Sequence, residues 1–270
     1  MDRPPPASLT LATYNVHMGV DGWGRPFDVV SECARLDADV LVLQESWEPE
    51  VGSLSTAGLV AQHLGYRVVT EVALARGRLY APFPTDSARW GPWLTQVRTA
   101  LHLDEQTYRA RAGPADRTYA RGQWGIALLS RIPIDDVEVL PLGQLRRDAA
   151  RRAAIRCTAE LAGGPLIVCG THMSHIVHGS HAQYRRLAQQ LPSSRVAACL
   201  AGDMNLWGPP TSSYFRGWRR GVTGRSWPAR RPHSQLDHIL VTAPVSVLDA
   251  RIGDFAGSDH RPAVVTLTIT

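Results

Sequence analysis

Acid, amide and imidazole side chains stand at the ends of apolar runs throughout this 270-residue chain. Asn15, Glu45 and His172 each come directly after such a run. Asp237 and Asp259 each come shortly before one. Carboxylate and carboxamide oxygens are hard ligands of the kind that Mg²⁺ and Mn²⁺ prefer, and an unpartnered buried charge is costly. If these run ends meet at one end of a sheet, they form a site built around a divalent cation.

The same set contains groups suited to acid–base chemistry. Asp237 could hold the His260 ring in one tautomer and favour its protonated form, so that the imidazole acts on water or stabilises a phosphoryl oxygen. Asp203 and Asn205 are two residues apart in an extended segment and project to the same side. They could align an attacking water and hold a phosphate oxygen, and His172 would approach from the other half of the site.

The elements that must position these groups alternate between strand and helix in the first third of the chain. Four strand candidates then follow one another, and Gly163-Gly164 between the last two predicts a hairpin. The pattern is typical of a layered α/β domain. Strands are predicted at 9–14, 40–44, 66–73, 123–130, 135–140, 153–161, 166–171, 195–201, 239–241 and 263–269, and helices at 27–36, 54–64 and 181–191, the last capped by Ser180.

Residues 75–122 have a different character, with prolines, tryptophans and several arginines. Leu94, Val97 and Leu101 share one helical face within this segment. We interpret it as a long excursion from the sheet. It is either a helix packed on the scaffold or a lid over a substrate.

Composition is that of an ordinary soluble globular chain, with 44% hydrophobic and 20% charged residues. All 29 basic residues are arginine, and the formal net charge is +5. A GC-rich coding sequence would produce this bias, and so would selection for binding phosphate polymers or an anionic membrane. The charge alone is compatible with both explanations.

Four cysteines are widely spaced without a paired C-x-x-C motif, and we expect them to be buried free thiols. The first residues lack the apolar segment of a secretory signal, and no run of about 18 apolar residues occurs. We therefore expect a cytoplasmic protein without stable membrane insertion. We also expect a monomer and no protein partner.

Seven short motifs, in order along nearly the whole chain, resemble those of the endonuclease/exonuclease/phosphatase superfamily. That superfamily includes deoxyribonuclease I, abasic-site endonucleases, neutral sphingomyelinases and inositol polyphosphate 5-phosphatases. The resemblance implies a single catalytic domain over 1–270 with an α/β fold, a four-layer sandwich of two packed mixed β-sheets flanked by helices. The motifs are Thr13-Tyr14-Asn15-Val16, Leu43-Gln44-Glu45, Gly125 to Arg131, Gly170-Thr171-His172, Gly202-Asp203-Met204-Asn205, Leu236-Asp237-His238-Ile239 and Ser258-Asp259-His260-Arg261-Pro262.

The resemblance also implies a divalent-metal phosphoesterase, in which Mg²⁺ acts and Mn²⁺ is a possible substitute. Some nucleases of the family carry an Asp two residues beyond the first-strand Asn, where this chain has His17. We therefore expect a single catalytic Mg²⁺. By motif, Asn15, Glu45 and Asp259 would form the metal site, Asp203 would position or deprotonate water, Asn205 would bind phosphate, His260 with Asp237 would be the catalytic pair, and His172 would contact the scissile phosphate or assist the leaving group.

The segment 216–231 interleaves arginines with tryptophans. In a nuclease, guanidinium groups track phosphates and an indole stacks on a base, although tryptophans packed under a basic loop explain the pattern equally well. We expect Trp218, Trp227 and Arg131 to contact substrate. The favoured hypothesis is that the protein is a nuclease-like hydrolase that cleaves a phosphodiester by in-line attack of water.

Three other functions stay open. A sphingomyelinase-type lipid phosphodiesterase would use Trp90, Trp93 and Leu94 as an interfacial patch. A phosphomonoesterase and a catalytically inactive binding module are the other two. The histidines His172, His175, His178 and His181 also raise a zinc site, which the absence of a cysteine cluster disfavours.

Overall fold

The computed structural model describes residues 4–22, 24–52, 54–80 and 119–270, within which the strands form two six-stranded sheets. The first sheet contains β1 Leu9–Asn15, β2 Val40–Pro49, β3 Arg67–Tyr80, β4 Tyr119–Ser130, β11 Val245–Ile252 and β12 Ala263–Ile269, in the spatial order β11–β12–β1–β2–β4–β3. The second contains β5 Ile134–Gln144, β6 Arg151–Leu161, β7 Gly164–His172, β8 Ala198–Asp203, β9 Arg219–Arg220 and β10 Asp237–Val241, in the order β5–β6–β7–β8–β10–β9.

Both sheets are mixed. β1 pairs parallel with β2, and β7 pairs parallel with β8, whereas the other pairs are antiparallel. Parallel neighbours need a long crossover, and each of these two crossovers carries a helix. The helices of the described residues are α1 Val29–Ala34, α2 Thr56–Leu64, α3 His181–Gln190 and α4 Gly208–Ser213, with 3-10 turns at His17–Gly19 and Ile176–His178.

Helix α2 illustrates how the local sequence sets these elements. The Ser55 side chain accepts a hydrogen bond from the Gly58 amide at 2.9 Å, which caps the helix start. The helix ends at Gly65, whose φ of 71° lies in the left-handed region that glycine adopts without a steric penalty. Ala57, Val60 and Ala61 form its buried face.

The layers follow from alternation along the strands. On β2, Val40 and Val42 point into the core between the sheets, whereas Leu41 and Leu43 point outward. α1 and α2 cover that outer face, and α3 covers the outer face of the second sheet through Tyr184 and Leu187. The predicted four-layer sandwich of two mixed sheets is therefore confirmed.

The two sheets approach each other closely near the carboxyl end of β7. A Cβ on Gly170 would lie 2.7 Å from Cγ1 of Val42 in the opposite sheet, closer than real contacts allow. Gly170 therefore permits the two sheets to meet two residues before His172.

The observed helices and strands differ in several details from those predicted from the sequence. The three predicted helices are present, but Ser180 makes no side-chain capping bond because its backbone is helical rather than extended. Strand β11 was not predicted. Residues 75–80 and 119–122, predicted as part of an excursion, extend β3 and β4, while 81–118, with the proposed interfacial and lid residues, lie outside the described residues.

Two further findings concern composition. All four cysteines are free and buried, as predicted, and burial raises the pKa of Cys33 and of Cys157 to about 12. Among the described residues, no helix is both long and apolar enough to cross a membrane.

Candidate active site

The polar residues at the ends of the strands lie in register. His172 pairs with Asp203 across parallel β7 and β8, and Asp203 pairs with Asp237 across antiparallel β8 and β10. Residues in register on neighbouring strands point to the same face. In the first sheet, Asn15 pairs with Gln44 where parallel β1 and β2 end. Each sheet therefore contributes a row of polar side chains.

Glu45 is the extra residue of a β-bulge. The pairing of β2 with β4 passes from Gln44 to Ser46, and Glu45 has a φ of 53°. A left-handed conformation costs a non-glycine residue about 1–2 kcal/mol, and bulges are typical where a strand must redirect a side chain beside a site. The half-buried Glu45 carboxylate accepts a hydrogen bond from Asn15 Nδ2 at 3.2 Å.

Asp203 is the centre of the arrangement. Its Oδ2 accepts a hydrogen bond from Asn15 Nδ2 at 3.1 Å, which joins the two sheets. Its Oδ1 accepts the backbone N–H of Asn205 at 2.8 Å. Burial raises the pKa of Asp203 to about 7, with Asp237 adding to the rise and His260 opposing it. A carboxylate with such a pKa can take up a proton near neutral pH.

His260 is held between two carboxylates. Its Nδ1 lies 2.8 Å from Asp237 Oδ2, and its Nε2 lies 3.8 Å from Asp203 Oδ2. Burial alone would lower the pKa of His260, but Asp237, Asp203 and Asp259 together hold it well above its ordinary value. The ring is therefore a buried cation oriented by Asp237.

His172 and Asn205 face Asp203 from the other side. His172 Nε2 lies 3.5 Å from Asp203 Oδ2 and 3.2 Å from Asn205 Nδ2. Burial lowers the pKa of His172 well below its ordinary value, and the cations of Arg152 and His260 lower it further. Asn205 has a φ of 50° and also donates to the Met173 carbonyl at 3.0 Å. One imidazole is thus neutral and the other charged.

Asp259 lies beside His17 and Trp227. Its Oδ1 is 3.8 Å from His17 Nδ1, and the Trp227 indole donates a hydrogen bond to its carboxylate. Burial would raise the pKa of Asp259, but His17, His260 and the hydrogen bonds hold it below its ordinary value. Ser258 ties this segment to β1 by donating to the Asn15 carbonyl at 2.7 Å. Asp259 is therefore an ionised oxygen donor next to the other site residues.

The donor chemistry fits a metal ion. Asp203, Asp237 and His260 each present a ligand atom, and within the described residues these atoms lie within 4.8 Å of one another, close enough to hold one ion. Glu45 and Asp259 offer further hard carboxylate oxygens. The Asn15 Oδ1 already accepts the His17 backbone N–H at 3.0 Å, and its Nδ2 faces the two carboxylates. Asn15 therefore orients Glu45 and Asp203 in the arrangement observed.

The structure thus gathers most of the predicted site residues and separates two of the predicted substrate contacts from them. Arg131 follows Ser130, which pairs with Val40 at the opposite end of β2 from Glu45. Its guanidinium lies over the Tyr66 ring and beside Asp37. Arg131 is therefore not part of the site.

Trp218 is 8% exposed and belongs to the core under α3, so packing accounts for its indole and argues against stacking on a substrate. Trp227 is half-buried and adjoins Asp259, which leaves it at the edge of the site.

The histidine series beyond His172 does not converge on a metal. His175 and His178 lie edge to face with ring centroids 6.2 Å apart, and His181 bonds to Tyr214. Within the described part of the chain, none of these three histidines belongs to a cluster of three or more potential metal ligands.

Two residues beside His172 were missed by sequence reasoning. The Trp124 ring lies 5.7 Å from the His172 ring, and the Arg152 guanidinium lies 5.3 Å from the Trp124 ring centroid. The sequence gives only a weak indication of a role for Arg152. It is a charged residue at the start of an apolar strand, but it stands among several other arginines.

Comparison with known proteins agrees with this geometry. The sequence profile described as "Endonuclease/Exonuclease/phosphatase family" matches residues 12–260. Comparison with curated proteins found no match. Structural comparison found an endonuclease/exonuclease/phosphatase from Beutenbergia cavernae, with 20% identity, a TM-score of 0.66, and coverage of 97% of this chain and 72% of that chain.

Two further solved structures share the fold. The human Nocturnin catalytic domain with bound sulfate is 18% identical, with a TM-score of 0.60 and coverage of 100% of this chain and 96% of that chain. A humanized TDP2 from D. rerio is 15% identical, with a TM-score of 0.51 and coverage of 97% and 99%. At these identities, the likeness concerns the fold.

Proposed function

This chain belongs to the endonuclease/exonuclease/phosphatase family, and on that premise we propose that it is a Mg²⁺-dependent phosphoesterase that hydrolyses a phosphodiester. One observation carries the proposal. Asp203 lies between the His260–Asp237 pair on one side and the Asn15–Glu45 pair on the other. A proton acceptor, a buried cation and hard oxygen donors therefore converge where the two sheets meet.

In this proposal, Glu45 and Asp259 would hold Mg²⁺ with Asn15 beside them, and Mn²⁺ could substitute for it. The bound ion would neutralise charge on the phosphoryl oxygens and polarise the phosphorus. Glu45 and Asp259 fit this part because His260 already bonds Asp237 through Nδ1, and a protonated imidazole has no lone pair for a metal.

The protein side chains then supply the remaining chemistry. Asp203 accepts a proton from water as the water oxygen bonds to phosphorus and the bond from phosphorus to the leaving oxygen breaks, and the leaving oxygen then takes a proton from solvent water. The charged His260 stabilises the negative phosphoryl oxygens, and Asp237 keeps its ring in place. Asn205 presents its Nδ2, and neutral His172 presents its Nε2, to the same phosphoryl group.

A nuclease-like hydrolase is the first candidate among substrate classes. The net charge of +5 and the half-buried Trp227 beside Asp259 support contact with a phosphate polymer. Binding would be largely independent of sequence and would fall steeply with salt.

A lipid phosphodiesterase is the second candidate. Val177 and Trp207 are 69% and 55% exposed, on the segments that follow β7 and β8. Exposed apolar side chains beside a site are typical of surfaces that contact a lipid interface.

The test is hydrolysis by the purified chain after treatment with chelator and return of Mg²⁺ or Mn²⁺. Substrates are single- and double-stranded DNA, RNA, sphingomyelin vesicles, inositol phosphates and an aryl phosphodiester. Metal-dependent cleavage that Glu45→Ala abolishes supports the proposal, and Glu160→Ala, an exposed glutamate on β6, is the matched control.

The substrate profile separates the candidates. Salt-sensitive cleavage of polymer supports the nuclease, dependence on vesicles supports the lipid enzyme, and cleavage of monoesters alone supports a phosphomonoesterase. Failure to bind divalent cations and to cleave any substrate would overturn the proposal in favour of an inactive binding module.

A further inference from the structure

A network of polar and aromatic contacts adjoins His172. Arg152 is 7% exposed, and its Nη1 donates to the His172 carbonyl oxygen at 3.4 Å. Its guanidinium also lies over the Trp124 ring, 5.3 Å from the centroid. Arg152 therefore contacts His172 directly through the backbone and indirectly through Trp124.

Trp124 completes the contact from the opposite sheet. It lies on β4 of the first sheet, whereas Arg152 and His172 lie on β6 and β7 of the second. Its ring meets the His172 ring at a centroid distance of 5.7 Å and an angle of 48°. The His172 imidazole is thus in contact with an indole that is itself fixed by a cation.

Arg152 is in turn held in one position. Its Nε donates to Asp148 Oδ2 at 3.0 Å, and Asp148 also accepts hydrogen bonds from the Ala150 amide, at 2.9 Å, and from Ser174 Oγ. Ser174 lies two residues beyond His172. The network therefore connects both ends of the short segment that carries the imidazole.

We propose that Arg152 is a positioning residue that fixes the His172 imidazole for phosphoester hydrolysis, acting through Trp124 and the His172 backbone. The proposal rests on the function proposed above. A guanidinium is suited to this role because its planar face covers an aromatic ring while its N–H groups bond in fixed directions. A lysine at this position would keep the positive charge, but it has neither a planar face to cover the ring nor several N–H groups in fixed directions.

The first test is a double-mutant cycle on kcat with the phosphoester substrate that the wild type cleaves. Arg152→Lys should lower kcat about tenfold or more, because small misplacements of a reacting group are costly, while KM changes less than kcat. In a His172→Ala background, Arg152→Lys should have no further effect, because residues that act through one another are not additive.

The matched control is Arg156→Lys. Arg156 lies on the same strand and also bonds a carboxylate, of Glu138, and a carbonyl, of Gln190. It makes these contacts away from His172, so the variant should leave kcat unchanged. Thermal unfolding of all variants identifies any that fail to fold, and Trp124→Phe then replaces Arg152→Lys as the probe of the same contact.

The second test needs no activity. In histidine-labelled protein, the ring resonance of His172, assigned by its loss in His172→Ala, should move in Arg152→Lys and Trp124→Phe and stay in place in Arg156→Lys. If the wild type cleaves no phosphoester, the proposed function fails and this resonance alone decides the positioning role. Multiplicative effects on kcat, or a His172 resonance that moves no more in Arg152→Lys than in Arg156→Lys, would overturn the inference.

Discussion

Asp203 and Asp237 lie directly opposite each other on antiparallel β8 and β10, so two buried carboxylates face one space. Like charges in this arrangement repel, and removal from water adds to the cost. The charged ring of His260 lies against both, at 2.8 Å from Asp237 and 3.8 Å from Asp203. The imidazole therefore stabilises the fold as well as the proposed chemistry.

We predict that His260→Ala lowers the free energy of unfolding by about 3–5 kcal/mol, because it leaves buried carboxylates without their cation. Adding Asp237→Asn should recover part of that loss by removing one of the charges. Urea denaturation measures both, and His63→Ala, an exposed histidine on α2, is the control. A loss no larger than that of His63→Ala would contradict the role given to His260.

We predict that Glu45→Ala and Glu45→Gly both abolish turnover but differ in stability. Because Glu45 has a φ of 53°, removing Cβ relieves steric strain, so the glycine variant should be about 1 kcal/mol more stable than the alanine variant. Denaturation gives the difference, and activity is compared with Glu160→Ala. Retained metal-dependent hydrolysis would count against Glu45 as the metal-holding carboxylate.

We predict that acid destabilises the protein through His238. Its Nε2 lies 3.0 Å from the carbonyl oxygens of Leu206 and Gln235 and carries the proton, while Nδ1 lacks a hydrogen-bond partner. Burial lowers the pKa of His238 to about 4. An unfolded histidine has a pKa of about 6.5, so between pH 6.5 and pH 4 the unfolded state binds more protons and stability falls as pH falls.

The contribution of His238 over that interval is about 3 kcal/mol, from the difference between the two pKa values. His238→Gln can donate to the same carbonyls but does not titrate. Denaturation at several pH values should show the wild type losing more stability than the variant between pH 7 and pH 4. Parallel curves for the two proteins would show that His238 is not the titrating group.

We predict opposite effects for the two tryptophans expected to contact substrate. Trp218→Leu should cost about 2–3 kcal/mol of stability by leaving a cavity and should not change KM. Trp227→Phe removes the indole N–H that holds Asp259, so it should lower turnover about tenfold with little change in stability. Thermal unfolding and steady-state kinetics on both proteins separate packing from function, and a raised KM in Trp218→Leu would refute the assignment of that residue to the core.

Much of this site could be predicted because strand ends leave a clear signal. An apolar run that stops at Asn15 or His172 marks both the strand and the group it presents. The sequence alone does not show which predicted strand belongs to which sheet. The cross-sheet bond from Asn15 to Asp203 depends on that partition, which is decided by packing between residues far apart in the chain.

The differences between the predicted and the observed positions have a common physical cause. Arg131 and Trp218 were chosen for residue type, but type does not determine which end of a strand or which side of a sheet a residue occupies. β4 runs antiparallel to β2, which carries Arg131 away from Glu45. Arg152 and Trp124 were missed for the converse reason, because their meeting beside His172 requires two sheets to face each other.

The candidate active site is divided between the two sheets, and this division determines how heating affects it. Neither sheet carries the complete set of site groups. Asn15 and Glu45 lie on the first sheet, whereas His172, Asp203 and Asp237 lie on the second. We therefore expect any proposed hydrolysis to stop on heating as soon as the two sheets separate, with no partial activity left in either sheet.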